Sequence, residues 1–292
     1  MQRRTFIKNS LAASLAGSLT HSAFALAKNN PYRKNIGIQL YTLRGPLSDD
    51  VVGTIKAVAE AGYKQVEAYG FPNSKEMIQA SKDHGLAVNS SHIAWEAVTN
   101  PEKAGKGAYD KILAAAIADG LTHLVIPYLH AEERTSLDDY KRIAERCNVA
   151  AEQAHSAGIQ LAYHNHSFEF AKLNGKKSGY AVLMEEFSDK MKFEIDVFWV
   201  KLAGIEPVKL MKKLSGRVSQ LHLKDLKTGT PMPNYEGIDK EAFKELGNGM
   251  IPMEPIIKAA GAVGVEHCHV EQDHSPHPIK SIQQSIKYLA SL

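Results

Sequence analysis

KFEIDVFWVKLAGIEPVKLMKKLSGRVSQLHLKD, residues 192–225, holds a β-rich run, a helical stretch, a glycine and a second β-rich run. In the first run Phe193, Ile195 and Val197 alternate with Lys192, Glu194 and Asp196. In the second, Leu221 and Leu223 alternate with Gln220, His222 and Lys224. Successive strand residues face opposite sides of a sheet, so each run has one apolar face and one polar, titratable face. Gly216, in Ser215-Gly216-Arg217, stands where the helix should stop. A residue without Cβ takes the left-handed conformation that closes a helix.

The same unit recurs outward in both directions. Gly62, Gly85, Gly120, Gly158 and Gly264 each precede a β-rich run. Eight runs are expected, near residues 36–41, 64–68, 87–92, 123–127, 160–164, 192–196, 219–223 and 267–271. Helical patterns separate them, the clearest over 137–157. Eight alternating units predict an α/β fold, a single (β/α)8 TIM barrel over residues 28–292. A doubly wound sheet is the competitor, but Thr42-Leu43-Arg44 after the first run is no glycine-rich phosphate loop. In a barrel one strand face meets the helices and the other the interior. The apolar faces must meet the helices, which leaves Gln65, Glu67, Gln160, His164, Glu194, Asp196, Gln220, His222, His267, His269 and Glu271 inside. Burying so many polar groups is costly unless they bind each other, water or an ion.

The last four strands end in Tyr163-His164-Asn165-His166, Ile195-Asp196-Val197-Phe198-Trp199, Leu221-His222-Leu223-Lys224-Asp225 and Val270-Glu271-Gln272-Asp273. Barrel active sites sit at such C-terminal ends. His164, Asp196, His222 and Glu271 are therefore the expected metal ligands. Two imidazoles and two carboxylates suit one divalent ion of Mn, Zn, Fe or Co better than Ca. Asp196 has a plainer reading as the cap of the next helix. Lys224, two residues past His222, is a candidate catalytic group at the mouth, or a salt-bridge partner of Asp225 or Glu271. His92 and Glu67, ending the third and second strands, are further catalytic candidates; Glu67 could instead support a metal ligand from behind. His166, Glu169, Trp199 and Tyr235 are candidate substrate contacts, Tyr235 on a long segment, 227–250, expected to cover the mouth. His269 is expected to be supporting, His274 and His277 to lie on an exposed loop. Cys147 is read as core and Cys268 as facing the helices, and two cysteines are too few for a disulfide framework.

At these residues the chain resembles the xylose-isomerase-like barrel family. The carriers are Leu221-His-Leu-Lys-Asp225, Glu194-Ile-Asp196, Leu246-Gly-Asn-Gly249 and Val270-Glu271. That family includes sugar isomerases and epimerases, inosose dehydratases and type IV apurinic endonucleases, and the subgroup with Tyr-His-Asn-His on the fifth strand is commonly labelled sugar phosphate isomerase/epimerase. The resemblance implies a metal-dependent isomerase or epimerase that passes a sugar or keto-sugar through an enediolate, with Glu271 moving the proton. The family's ketose epimerases carry a glutamate on the fifth strand where this chain has His164. A metal-bound imidazole has no free lone pair, so two-base chemistry would need Glu169, His166 or Glu67 as the second group. Elimination from the enolate, giving a lyase or dehydratase, is the alternative. A non-catalytic sugar-binding protein is the alternative of another class.

The chain has 292 residues, 44% hydrophobic and 23% charged, as a globular domain should. Its formal charge of +3 comes from Arg3, Arg4 and Lys8, since residues 1–27 carry no acid. Arg3-Arg4-Thr5-Phe6-Ile7-Lys8, a weakly apolar run and Ala25-Leu26-Ala27 resemble a twin-arginine export signal, with Gln2 in place of the usual Ser or Thr. That implies a signal over 1–27 and a periplasmic location. Without it the charge is zero, which removes the basic footprint of a nucleic-acid-binding domain. No stretch reaches about 18 apolar residues, so no spanning helix is expected. The expected partner is a small carbohydrate.

Overall fold

A computed structural model describes Tyr32 and residues 35–292; the expected signal at 1–27 lies outside the described residues. Eight parallel strands close into a barrel. They are β1 (Gly37–Gln39), β2 (Gln65–Phe71), β3 (Ala87–Ile93), β4 (His123–Ile126), β5 (Gln160–His164), β6 (Met191–Asp196), β7 (Val218–Leu223) and β8 (His267–Val270). β1 pairs with both β2 and β8, through Gly37 opposite Gln65 and Gly37 opposite His269, which closes the cylinder. One main helix follows each strand: α1 (Val51–Ala61), α2 (Lys75–Asp83), α3 (Ala108–Asp119), α4 (Leu137–Ser156), α5 (Gly179–Glu186), α6 (Pro207–Lys213), α7 (Met253–Val263) and α8 (Pro278–Ser291). The six glycines read as helix stops all adopt positive φ, from 71° at Gly120 to 105° at Gly62.

The two strand faces divide as the alternation requires. Val66, Leu161, Tyr163, Phe193, Ile195, Leu221, Leu223 and Cys268 are fully buried in one core with Ile55, Val58, Ile143, Cys147 and Ile256 of the helices. Each large apolar side chain so buried contributes roughly 1.5–3 kcal/mol. The inner faces carry Glu67, Glu194, Gln220, His222 and His269, all without solvent exposure. Several satisfy one another: Gln39 Nε2 donates to Glu67 Oε1 at 2.7 Å, Gln220 Nε2 donates to Glu194 Oε1 at 2.9 Å, and Ser90 Oγ donates to Glu67, while both His269 ring nitrogens and Gln220 Oε1 have no hydrogen bond. Gly37 leaves room for this packing. A Cβ there would lie 2.4 Å from His269 Cδ2 and 2.7 Å from Gln65 Cγ.

β1 is shorter than the expected run, because the Gln39 side chain accepts the Tyr41 N–H at 3.1 Å and turns the chain into a 3-10 turn, Leu40–Leu43. The segment after β7 also departs from an open loop. Asp225–Leu226 pairs antiparallel with Phe243–Lys244. The Asp225 carboxylate accepts four backbone N–H groups, from Leu226 (2.9 Å), Gly247 (3.0 Å), Gly249 (3.0 Å) and Ile251 (2.9 Å). The Leu246-Gly-Asn-Gly249 turn is thus wrapped around one carboxylate, and Asp225 is not a partner of Lys224. Phe243 stacks on Phe198 with ring centroids 4.5 Å apart and meets Trp199 edge-on at 5.7 Å.

Candidate metal centre and active site

His164, Asp196, His222 and Glu271, at the ends of four consecutive strands, each bring one donor atom within 4.8 Å of the others. Asp196 does two jobs. Its Oδ1 accepts the N–H groups of Phe198 (2.8 Å) and Trp199 (3.2 Å), capping the short helix Val197–Leu202. Its Oδ2 is buried without a hydrogen bond, 3.0 Å from the Lys224 ammonium and 3.9 Å from His164 Nε2. The plain capping reading and the ligand reading therefore concern different oxygens.

The histidines are oriented from beneath. His222 Nε2 lies 2.7 Å from Glu67 Oε1 and Nδ1 lies 2.9 Å from Glu271 Oε2. His164 Nδ1 lies 3.2 Å from Glu194 Oε2, leaving Nε2 toward Asp196. A carboxylate accepting one ring N–H fixes the tautomer and presents the other nitrogen as a donor, the usual support of a metal-bound imidazole. Glu67 is fully buried in this role and is not on the cavity wall, so it does not meet substrate. Glu194 does the same for His164, a role the sequence reading did not assign. Its inward position two residues before Asp196 was the available signal.

His92 Nε2 sits 3.2 Å from both Glu67 and Glu194, its ring stacked 5.4 Å from His222. Burial opposes the charge on His92, but the Glu67 and Glu194 carboxylates prevail and raise its pKa to about 9. Burial likewise opposes the charge on His222, and Glu194 with Glu271 holds it well above the usual imidazole range. His164 goes the other way, its burial outweighing Glu194. Lys224 is 1% exposed and lies 2.6 Å from Glu271, 3.0 Å from Asp196 and 3.1 Å from Asp273. Burial is again overcome, by Asp196, Asp273 and Glu271, which keep the ammonium charged.

A cavity of about 670 Å³ opens above these groups, a usual size for a small-molecule site. Glu271, Lys224, His92, His164, His166 and Trp199 line it, with Tyr41, Tyr69, Trp95, Tyr128, Asp273 and His274. His166 lies flat against Phe168 (5.3 Å, 7°) and 5.1 Å from Trp199. Its Nδ1 and the Trp199 Nε1 are buried without hydrogen-bond partners, two polar atoms that ligand hydroxyls could satisfy. Burial holds His166 well below the usual imidazole range, so it is neutral. The wall's cations are already engaged. Arg44 donates to the backbone carbonyls of Tyr41 and Asp273, and Lys224 faces three carboxylates.

Two expected substrate contacts are elsewhere. Glu169 is fully buried behind β5, where it accepts the Tyr163 hydroxyl (2.8 Å) and the His166 N–H (2.9 Å). Tyr163 faces the helices, and Glu169 follows it rather than the cavity. Tyr235 packs on the core outside the cavity wall; the pinning of its segment at Asp225 brings Phe243 to the Trp199 side instead. Trp95 and Tyr128 were missed. Both stand just past the ends of β3 and β4, where the rule applied to the last four strands would have found them.

The donor set fits a divalent metal: two imidazoles, two carboxylates, carboxylate supports behind each ring and an Asp196 oxygen that faces the others and makes no hydrogen bond. Residues 55–292 match the family described as xylose isomerase-like TIM barrel. An inosose dehydratase of Lacticaseibacillus casei is 23% identical over 163 residues, 52% of this chain and 54% of that protein. The chain thus spans about half the length of the curated relatives it matches. Among solved structures, a sugar phosphate isomerase/epimerase from Parabacteroides distasonis superposes with a TM-score of 0.71 and 24% identity, covering 89% of this chain and 98% of that one. The IOLI protein, solved with a bound zinc atom, superposes at 0.65 with 14% identity over 88% and 98% of the two chains.

Proposed function

Because the chain belongs to the xylose isomerase-like TIM barrel family and gathers two histidines and two carboxylates at its C-terminal mouth, we propose that it is a divalent-metal-dependent enzyme that moves a proton beside the carbonyl of a neutral sugar or keto-sugar. The observation that carries this reading is the convergence of donor atoms from His164, Asp196, His222 and Glu271, with the buried Asp196 Oδ2 free of hydrogen bonds and ion-paired to Lys224, and Glu67 and Glu194 holding the two rings from behind. His164, Asp196, His222 and Glu271 would hold the ion, which is Mn, Zn, Fe or Co. When bound, it would supply Lewis acidity that makes the C–H beside the carbonyl more acidic. Similarity to a sugar phosphate isomerase/epimerase and an inosose dehydratase supports proton chemistry on a sugar-like substrate.

Two wall groups are placed to carry the proton. Glu271 Oε2 is shared by Lys224 and His222. Burial would raise its pKa, but those two cations hold it well below the usual carboxylate range, so it stays ionised and serves as a ligand first. His166 is neutral with an unpartnered Nδ1. In this reading His166 takes the proton from carbon and returns it to the neighbouring carbon, giving isomerisation; epimerisation needs a second group to deliver a proton to the opposite face, for which Glu271 is the candidate. Lys224 faces the charge that develops on substrate oxygen, and Trp199 and Tyr128 offer faces to the sugar ring. With Arg44 and Lys224 committed, a neutral sugar fits this wall better than a phosphate ester. A lyase or dehydratase is the second reading, favoured by an imidazole, His164, at the β5 position where the two-base enzymes use a carboxylate. The resemblance of residues 1–27 to an export signal supports a periplasmic location.

The test is an NMR screen of metal-loaded protein with keto-sugars and keto-glycosides in D₂O. Deuterium should enter at the carbon beside the carbonyl, and a double bond should form if elimination dominates. His166→Gln should lower exchange about 10²–10⁴-fold with metal content unchanged, the usual cost of removing a general base. Binding without exchange in every case would replace this reading with a non-catalytic sugar-binding protein.

A further inference from the structure

We propose that His123, Glu266 and His267 form a second divalent-metal site, of zinc type, at the N-terminal mouth of the barrel, away from the active site. His123 opens β4 and His267 opens β8. In the closed order β1-β8-β7-β6-β5-β4-β3-β2 these strands stand opposite each other. Their inward side chains meet across the bottom of the barrel, rings edge to face with centroids 5.0 Å apart. Glu266, the residue before β8, adds a carboxylate. One donor atom of each of the three lies within 4.8 Å of the others.

The hydrogen bonding leaves this cluster unsatisfied in the way a ligand set should be. Thr122 Oγ1 lies 3.2 Å from the Asn89 carbonyl and 2.9 Å from His123 Nδ1. With the ring hydrogen on Nδ1, donated to Oγ1, Nε2 presents its lone pair. His123 is 3% exposed, and that Nε2 is buried without a hydrogen bond. The nearest carboxylate oxygen, Glu266 Oε1, is 3.7 Å away. That is too long for a hydrogen bond, and near the roughly 3.4 Å that separates two ligands of a tetrahedral ion with bonds of about 2.1 Å. The Glu266 side chain is 59% exposed, which gives an ion a path from solvent and leaves a position for water. Two imidazoles, a carboxylate and an open position match zinc's preferences.

This site is independent of the first. Glu271 lies four residues further along the β8 chain, about 13 Å at ~3.3 Å per residue. Barrel active sites sit at the opposite, C-terminal face, so an ion here would serve stability by tying opposite walls together.

The full-length, metal-stripped protein should be titrated with Zn²⁺ by calorimetry and equilibrium dialysis with metal analysis. The wild type should take two equivalents. His123→Ala and, separately, Glu266→Ala should weaken one equivalent at least tenfold while deuterium exchange on sugar is unchanged; His222→Ala should remove the other. Glu266→Ala changes an exposed side chain, so it decides the matter if His123→Ala does not fold. Crystals soaked in Zn²⁺ should show zinc-edge anomalous density beside His123 Nε2. A wild type that takes only the equivalent lost in His222→Ala, or a second equivalent that survives both bottom-site substitutions, overturns the proposal.

Discussion

Glu67 reaches two histidines, 2.7 Å from His222 Nε2 and 3.2 Å from His92 Nε2, without touching the cavity. Its charge fixes the His222 ring and strengthens its other nitrogen as a donor. Glu67→Gln should therefore weaken metal affinity about 10–100-fold in a calorimetric titration; unchanged affinity would mean that the ring needs no carboxylate behind it. Glu169 is the converse case, a carboxyl placed among the Tyr163 hydroxyl and the His166 N–H, away from substrate. Burial raises its pKa to about 7, against hydrogen bonds that lower it. The folded state then holds the proton more tightly than the unfolded chain, so stability falls as pH rises from about 4.5 toward 7 and levels off above. The full loss is on the order of 3–4 kcal/mol. In Glu169→Gln the neutral amide can still accept the His166 N–H, so urea unfolding between pH 5 and 7.5 should lose this component of the slope. An identical slope in wild type and variant would assign the dependence to other groups.

At the level of elements, each ligand stands where an alternating strand ends and a loop begins. The two-residue period of the inward faces therefore suffices to place His164, Asp196, His222 and Glu271 together. The same reading failed wherever the backbone left the strand pattern. Glu169 lies on a 3-10 turn, Phe168–Phe170, whose direction no period of two describes. Tyr235 lies in a segment whose path is set by Asp225, a contact across 22 to 26 residues. Asp225→Ala removes the acceptor of four N–H groups. It should lower unfolding stability by at least about 2 kcal/mol and open residues 227–250 to limited proteolysis. Protease resistance equal to wild type would show that the Asp225–Leu226 and Phe243–Lys244 pairing holds the segment alone.

For the molecule as a whole, the centre packs carboxylates and imidazoles into an interior that an apolar core would otherwise fill, and a bound ion adds binding free energy to the folded state alone. Chelation should lower Tm. At an ion concentration 100 times Kd the linkage is about 2.7 kcal/mol, roughly 5 °C or more for a domain of this size, read by calorimetry with and without EDTA. Equal Tm values would argue against a tightly held ion. The sequence alone determined the alternation of strand and helix, the helix stops and the side of each strand that turns inward, because these follow from local sterics and from periods of two and 3.6 residues. Only the tertiary structure decided which carboxylate stands behind which histidine, that Lys224 pairs with Glu271, Asp196 and Asp273 rather than Asp225, and that His123 meets His267 across the barrel. Those pairings join strands far apart in the chain. Closure and stagger of the cylinder bring them together, and neither is written in any single run of residues.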